Sequence, residues 1–360
     1  MEQSTDSLEI LEQLMCPAFF VKDGIIVQAN QAALQRQIPL NAPVTDLILI
    51  GKDEYDLLSD GRLCLTLCIN DITYSACVTA ADGYHIFHLE SDYEEPELRA
   101  FALAAQQLRE PLANAMASTD LLLPNAAVQE NLETRQQAAQ INQSLHQLLR
   151  VVCNMSDAAH YRDQRISQMQ TRDAAAIFEE ILEKAAHLTS QAGYTLHYKG
   201  LQQTVYCLVD AEKLERAVLN LISNAIKYAP KGSTLNVSLH RSGNHLYFTV
   251  RDNGAGVGPQ VRGSMFSRFL REPGIEDGRS GIGLGMHIVR SAAAAHGGTV
   301  LFEQPEGAGT KVTMSIMIRQ SKDSVVRSPV MLPVDYAGGW DRCLIELSDV
   351  LPDTLYEQKN

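Results

Sequence analysis

Two asparagines and a lysine sit on one short run, Leu219-Asn220-Leu221-Ile222-Ser223-Asn224-Ala225-Ile226-Lys227-Tyr228. Asn220 and Asn224 are four residues apart, so a helix puts both amides on one face, with Lys227 on much the same face. An amide oxygen is a hard ligand suited to Mg²⁺, which takes few protein ligands and keeps phosphates and water. A lysine ammonium meets a phosphate as a point charge. Further on, Asp252 ends the alternating run Leu246-Tyr247-Phe248-Thr249-Val250 and opens Asp252-Asn253-Gly254-Ala255-Gly256-Val257-Gly258. An ionised carboxylate only accepts hydrogen bonds, which suits the exocyclic amine of adenine. The glycines let the backbone turn sharply and approach a flat base. Gly281, Gly283 and Gly285 then open a second helical run through Met286, Ile288 and Val289. Backbone N–H groups at a helix start, clear of side chains, form an anion seat. Each patch has a plainer reading: polar decoration of a helix, an Asp-Asn-Gly hairpin turn, a flexible loop. The turn leaves Gly256 and Gly258 without a purpose. No Gly-Lys-Ser/Thr segment of a P-loop is present.

Taken in order with Gly307-Ala308-Gly309-Thr310, these patches resemble the N, G1, G2 and terminal glycine boxes of the ATPase domain shared by sensor histidine kinases, gyrase, Hsp90 and MutL. Phe266 and Phe269 match the family's F box between G1 and G2. The resemblance implies ATP and Mg²⁺, with Asn224 on the metal and Asn220 supporting it. It also implies nucleotide contacts from Lys227, Tyr228, Asp252, Gly254, Gly256, Gly281, Gly283, Leu284, Gly285 and Thr310. The polar run from Glu272 to Ser280 is placed as a lid over the nucleotide.

The same family carries a phosphoacceptor His, an acidic neighbour and Leu-Arg-Thr-Pro-Leu on an upstream helix. Here the chain reads Ala105-Gln106-Gln107-Leu108-Arg109-Glu110-Pro111-Leu112. The Leu-Arg-x-Pro-Leu frame is kept, and Gln106 stands where the His belongs, with Gln107 in the place of the acid. An imidazole nitrogen attacks phosphorus while a carboxylate helps take its proton. A carboxamide offers neither function, so phosphorylation at this position is not expected. Glu110 replaces the residue that family members use to position water. His146 and His160, on the second helix of the hairpin, are expected to be solvated helix residues rather than substitute acceptors.

The elements that must hold these residues read as a multidomain α+β chain. Residues 1–92 show strands joined by Asp-Gly and Asn-Asp turns, with Asn30 capping a short helix. They resemble a PAS-like α/β module, and His85 and His88 are expected to be surface or core residues rather than haem ligands. Residues 93–165 form an antiparallel helical hairpin. Its first helix carries Leu98, Phe101, Ala105, Leu108, Leu112 and Ala115 as a seam. Its second, about Glu130 to Arg162, carries Ala138, Ile141, Leu145, Leu148, Val152, Met155 and Ala159. Two such helices expose too much apolar seam alone, which predicts a dimeric four-helix bundle. Residues 166–319 fit a GHKL (Bergerat) α/β sandwich, its helices on one face of a mixed sheet. The tail, 320–360, contains the single Trp; Tyr336, Trp340, Leu344 and Leu347 form a candidate helical stripe expected to dock back onto the chain.

Composition narrows the classes. With 45% hydrophobic and 20% charged residues over 360 positions, the chain can bury several cores. A net charge of −13 without basic runs argues against nucleic-acid or anionic-membrane binding. Seven scattered cysteines and no signal peptide or apolar span point to reduced thiols in a cytoplasmic protein. Cys64 and Cys68 share a strand face near Cys77 and are expected to be buried apolar residues rather than metal ligands. The expected activity is that of an ATP-binding signalling protein of a two-component pathway, without autophosphorylation at Gln106. Its expected partners are a second copy or a related kinase, and a response regulator. Two alternatives stay open: an active kinase serving a partner or a displaced His, and a scaffold that binds no nucleotide.

Overall fold

The structure is a computed structural model that describes residues 11, 16–81, 83–89, 95–159, 169–256, 284–304, 309–319 and 339–357. The chain starts with a β-hairpin, β1 (Ala18–Lys22) and β2 (Ile25–Ala29), whose turn residues Asp23 and Gly24 both have positive φ, 51° and 77°. That is the turn whose twist matches paired strands. Asn30 caps α1 (Gln31–Gln35): its Oδ1 accepts from Ala33 N at 2.9 Å and Ala18 N at 3.0 Å. β3 (Ile48–Ile50) and α2 (Lys52–Asp56) lead to three long strands, β4 (Gly61–Ile69), β5 (Ile72–Ala81) and β6 (Tyr84–Leu89). Phe19 stacks on Phe87 at 4.8 Å in this module's core.

The hairpin follows as α3 (Glu95–Leu122), the short α4 (Ala126–Glu130) and α5 (Leu132–Ala159). Its inner seam joins Ala105, Leu112 and Met116 to Leu149, Val152 and Cys153. Three expected seam residues face outward instead: Leu108, Ile141 and Leu148 are 50%, 56% and 52% exposed. The second helix starts later than its periodicity suggested, because Asn125 and Asn131 each begin a helix of their own; the Asn125 side chain accepts from Ala127 N and that of Asn131 from Thr134 N. His146 is not solvated. It is fully buried, packed edge-on against Tyr356 at 5.0 Å.

The remaining elements are β7 (Gln170–Asp173), α6 (Ala174–Gln191), β8 (Thr195–Lys199), β9 (Tyr206–Val209), α7 (Ala211–Tyr228), β10 (Thr234–Ser242), β11 (His245–Arg251), α8 (Gly285–Ala295), β12 (Val300–Glu303) and β13 (Lys311–Met317). Strict alternation buries Leu235, Val237 and Leu239 of β10 and Leu246, Phe248 and Val250 of β11. Helices α6, α7 and α8 contribute to the same core, Phe178 of α6 stacking on Phe248 at 5.0 Å. This is the mixed sheet with a helical layer that the sequence suggests.

Two features lie outside that expectation. The sheets of the first and third regions are one: β2-β1-β6-β5-β4-β12-β13-β11-β10-β8, with β3 also on β4. The joint is antiparallel pairing of Val300, Leu301 and Phe302 with Cys64, Leu63 and Arg62. The described part of the tail, 339–357, forms one turn and a half of helix, α9 (Arg342–Glu346), followed by a 3-10 turn at Asp353–Tyr356. The proposed stripe fails as a helix: Trp340 precedes α9, whose cap is Asp341, while Leu344 and Leu347 are buried and Tyr336 lies outside the described residues.

Cys64 and Cys77 lie side by side, Sγ to Sγ 2.8 Å across β4 and β5. All seven cysteines are free thiols, and among the described residues no His/Cys/Asp/Glu group could hold a metal. Among those residues, no helix is long and apolar enough to cross a membrane.

Candidate functional site

Helix α7 starts on Asp210, whose carboxylate accepts from Lys213 N at 3.2 Å. One face, with Leu214, Val218, Leu221 and Ala225, enters the core. Arg216, Asn220, Ser223 and Lys227, spaced by four, three and four, make a polar stripe down another face. Asn220 has no exposed surface, while Asn224 is half-buried and Tyr228 is 46% exposed.

Asp252 sits just beyond β11, at 2% exposure. Its Oδ1 accepts from Gly254 N at 2.8 Å and Thr310 N at 3.1 Å, and the Thr310 hydroxyl donates to Oδ2. Three donors orient this carboxylate and leave one lone pair, on Oδ2, free of them. Two glycines allow the arrangement. A Cβ at Gly254 would strike the Tyr228 carbonyl oxygen, which draws the loop against the end of α7, and Gly309, at φ 89°, would strike the Asp252 carbonyl. Gly256 is also at positive φ, 76°.

Leu284 is the N-cap of α8 and is buried, and a Cβ on Gly285 would lie 2.9 Å from Asn220 Oδ1. The structure therefore brings the start of α8 against Asn220 and gathers Gly254, Asp252 and Thr310 at the end of the same helix. Gly258, Phe266, Phe269, the lid run from Glu272 to Ser280, Gly281 and Gly283 lie outside the described residues.

Into this polar stripe comes the tail. Glu346, fully buried, accepts from Arg216 Nε at 2.8 Å on one oxygen and from Asn220 Nδ2 at 3.0 Å on the other, with Arg150 Nε at 3.3 Å. Asp349 Oδ2 accepts from Lys227 Nζ at 2.7 Å and from Arg150 at 2.8 Å. Arg150 also donates to Asn220 Oδ1 at 3.0 Å and Ser223 Oγ at 3.3 Å. Helix α5 grips the tail from the other side. Asn142 donates to Tyr356 O at 3.0 Å and Gln143 to Ser348 O and Leu351 O at 3.0 and 2.8 Å, while Asp120 of α3 accepts from Trp340 Nε1 at 3.1 Å. The Tyr356 hydroxyl donates to Leu344 O at 2.8 Å, and its burial pushes the phenol far above its usual range.

Arg150, Arg216, Glu346 and Asp349 were not among the residues singled out from sequence. A signal existed: Asn142, His146, Arg150 and Asn154 recur every four residues on α5, beside its apolar seam. Gln106 and Gln107 are exposed on α3, and Arg109 reaches Cys153 Sγ at 3.9 Å. His85 Nδ1 lies 2.8 Å from the Tyr55 hydroxyl, an ordinary packing contact that burial accompanies by lowering the imidazole pKa.

Residues 209–320, which span the polar helix, Asp252 and Thr310, match the family of histidine kinase-, DNA gyrase B- and HSP90-like ATPases. The chain is similar to curated sensor histidine kinases over about two thirds of its length. It is 32% identical to sensor protein QseC of Salmonella typhimurium over 61% of this chain and 47% of that one. It is 28% identical to sensor protein kinase PmrB of Pseudomonas aeruginosa over 66% of this chain and 49% of that one. The chain spans about half the length of those two curated proteins. Among solved structures, full-length ShkA in complex with AMPPNP is similar at 22% identity and a TM-score of 0.48, over 62% of this chain and 46% of that one.

Proposed function

We propose that this histidine-kinase relative binds Mg-ATP between α7, the Asp252 loop and the start of α8, and signals without phosphorylating its own hairpin at the usual position. The observation that carries the reading is Asp252: a buried carboxylate held by Thr310 and Gly254, with acceptor capacity left over, beside the helix bearing Asn220 and Asn224. In this reading Asn224 ligates Mg²⁺, Asn220 supports it, and Lys227 meets phosphate. Asp252 reads the adenine amine, with Gly254, Gly256, Thr310 and Tyr228 lining the base. Gly281, Gly283, Leu284 and Gly285 offer backbone to the phosphates. Gln106 supplies a carboxamide where a nucleophilic imidazole is needed.

The hairpin is read as a dimerisation element. Leu103, Leu108, Ile141 and Leu148 are all at least half exposed in the single chain, a seam that a second hairpin would cover. Residues 1–92 are read as a PAS-like sensor module, and a response regulator as the downstream partner, in the cytoplasm.

Titration with Mg-ATP by calorimetry tests the cleft. Asp252→Asn loses a charged acceptor, and its affinity is expected to fall about 100-fold, the ~2–3 kcal/mol of a hydrogen bond to a charged group. Equal affinity in the two proteins would remove the nucleotide assignment. Incubation with γ-labelled ATP tests the acceptor: no acid-labile label is expected on the chain as it stands, and label is expected on Gln106→His. Label on the unaltered chain would instead establish a working autokinase.

A further inference from the structure

We propose that the tail segment from Asp341 to Tyr356 is an intramolecular competitor of nucleotide, its two carboxylates occupying the seat that the phosphates of Mg-ATP would take. This rests on the ATP reading above. It adds a regulator of the site and two further residues, Arg150 and Arg216, to the anion seat.

The overlap concerns specific atoms. Asn220, the proposed support of the metal, has its Nδ2 committed to Glu346 and its Oδ1 to Arg150. Lys227, the proposed phosphate partner, is held by Asp349 at 2.7 Å. Three cationic side chains, Arg150, Arg216 and Lys227, converge on these two carboxylates. Carboxylate and phosphate oxygens ask for the same donors, and a guanidinium serves either one with parallel N–H groups.

Burial makes the exchange obligatory. Arg150 and Arg216 are 5% and 3% exposed, and a buried guanidinium stripped of its anion is strongly destabilising. The tail can leave only if another anion arrives, and a triphosphate is an anion of the right geometry and greater charge. Arg150 stands on the hairpin, not on the nucleotide unit. Occupancy of the seat is therefore felt by α5, which binds the tail through Asn142, Gln143 and His146 as well. A nucleotide that displaces the tail changes what α5 holds, and that is a route from cleft to hairpin in a protein with no phosphohistidine to carry the message.

The test uses the full chain with Asp349→Asn, Glu346→Gln and the two combined, titrated with Mg-ATP, while amide exchange is followed over residues 340–356. Asp349→Asn is the safe variant, because its side chain is partly exposed and the amide keeps an acceptor. The expected result is affinity at least tenfold tighter in the combined variant, as when the open form is at most a tenth of the population of the unaltered chain. Tail amides of the unaltered protein should also lose protection as Mg-ATP is added. If the unaltered chain binds as tightly as every variant and its tail stays protected at saturating nucleotide, the competition is refuted while the ATP reading stands. If no variant binds Mg-ATP at all, the ATP reading fails and the competition falls with it.

Discussion

Two carboxamides mark the two ends of what would be a phosphotransfer path, and their surroundings differ completely. Asn220 has no solvent-exposed surface, and both ends of its amide are spoken for, by Arg150, Glu346 and the Arg216 carbonyl. Gln106 points outward from α3 into solvent. The first is an arrangement in which any change leaves a buried group unmet. The second could be almost any polar residue as far as folding is concerned. In this chain Asn220 is built into the structure, whereas Gln106 is a surface position.

Removing a partner from the wired end should show the largest effect. Glu346→Ala leaves Arg216 and Arg150 facing a cavity, and breaking a buried ion pair in this way costs about 3–5 kcal/mol. Chemical denaturation of the full chain should record it as a lower midpoint of the transition that includes the hairpin.

An intermediate effect comes from acid. Burial lowers the pKa of both His146 and His296. Each donates from Nδ1 to a helix carbonyl, Asn142 O and Ala292 O, and Nε2 of His296 accepts from Asp210 N at 3.0 Å. A proton on Nε2 of His146 would meet no acceptor among the described residues, and one on Nε2 of His296 would face the Asp210 N–H. The unfolded chain therefore binds more protons below about pH 6.5, and stability is full above that value and declines as pH falls toward the folded pKa. The slope is at most about 1.4 kcal/mol per pH unit for each histidine. Melting temperature measured from pH 7.5 to 5.5 should fall, and His146→Gln should flatten the decline. A melting temperature constant over that range would contradict the assignment of neutral, buried rings.

At the other extreme, Gln106→Ala should move stability by less than about 0.5 kcal/mol, as befits an exposed helix position. A larger loss on denaturation would mean that the acceptor position is engaged in a contact that the single chain does not display, and the contrast with Asn220 would lose its edge.

Much of the proposed site is legible in the sequence because its groups lie close together along the chain. Asn220, Asn224 and Lys227 share one helix, Asp252 and Gly254 share one turn, and short-range spacing is enough to group them. Asn30 as a cap and the Asp23-Gly24 turn are legible for the same reason. What could not be read is long-range. Glu346 lies 126 residues from Asn220, and no periodicity links them. His146 is expected from sequence to be a solvated helix residue because nothing near it in the chain covers it, yet Tyr356 does so from 210 residues away. Ile141 and Leu148 turn outward, while Leu149 and Cys153 take the inner seam, which Ile345 and Trp340 of the tail join.

The antiparallel joint between β4 and β12 carries a consequence of its own. Gly61, at φ 107°, lies so close to the Phe302 carbonyl that any side chain there would force the strands apart. A fragment ending near residue 92 would expose the unsatisfied N–H and C=O groups of Arg62 to Cys64, and the remainder would expose those of Val300 to Phe302. Bare edges of that kind invite pairing with other chains. Dissected pieces of this protein are thus apt to self-associate when handled separately, and a ligand that reshapes the amino-terminal module would pull directly on the backbone ladder of its neighbour rather than through a linker.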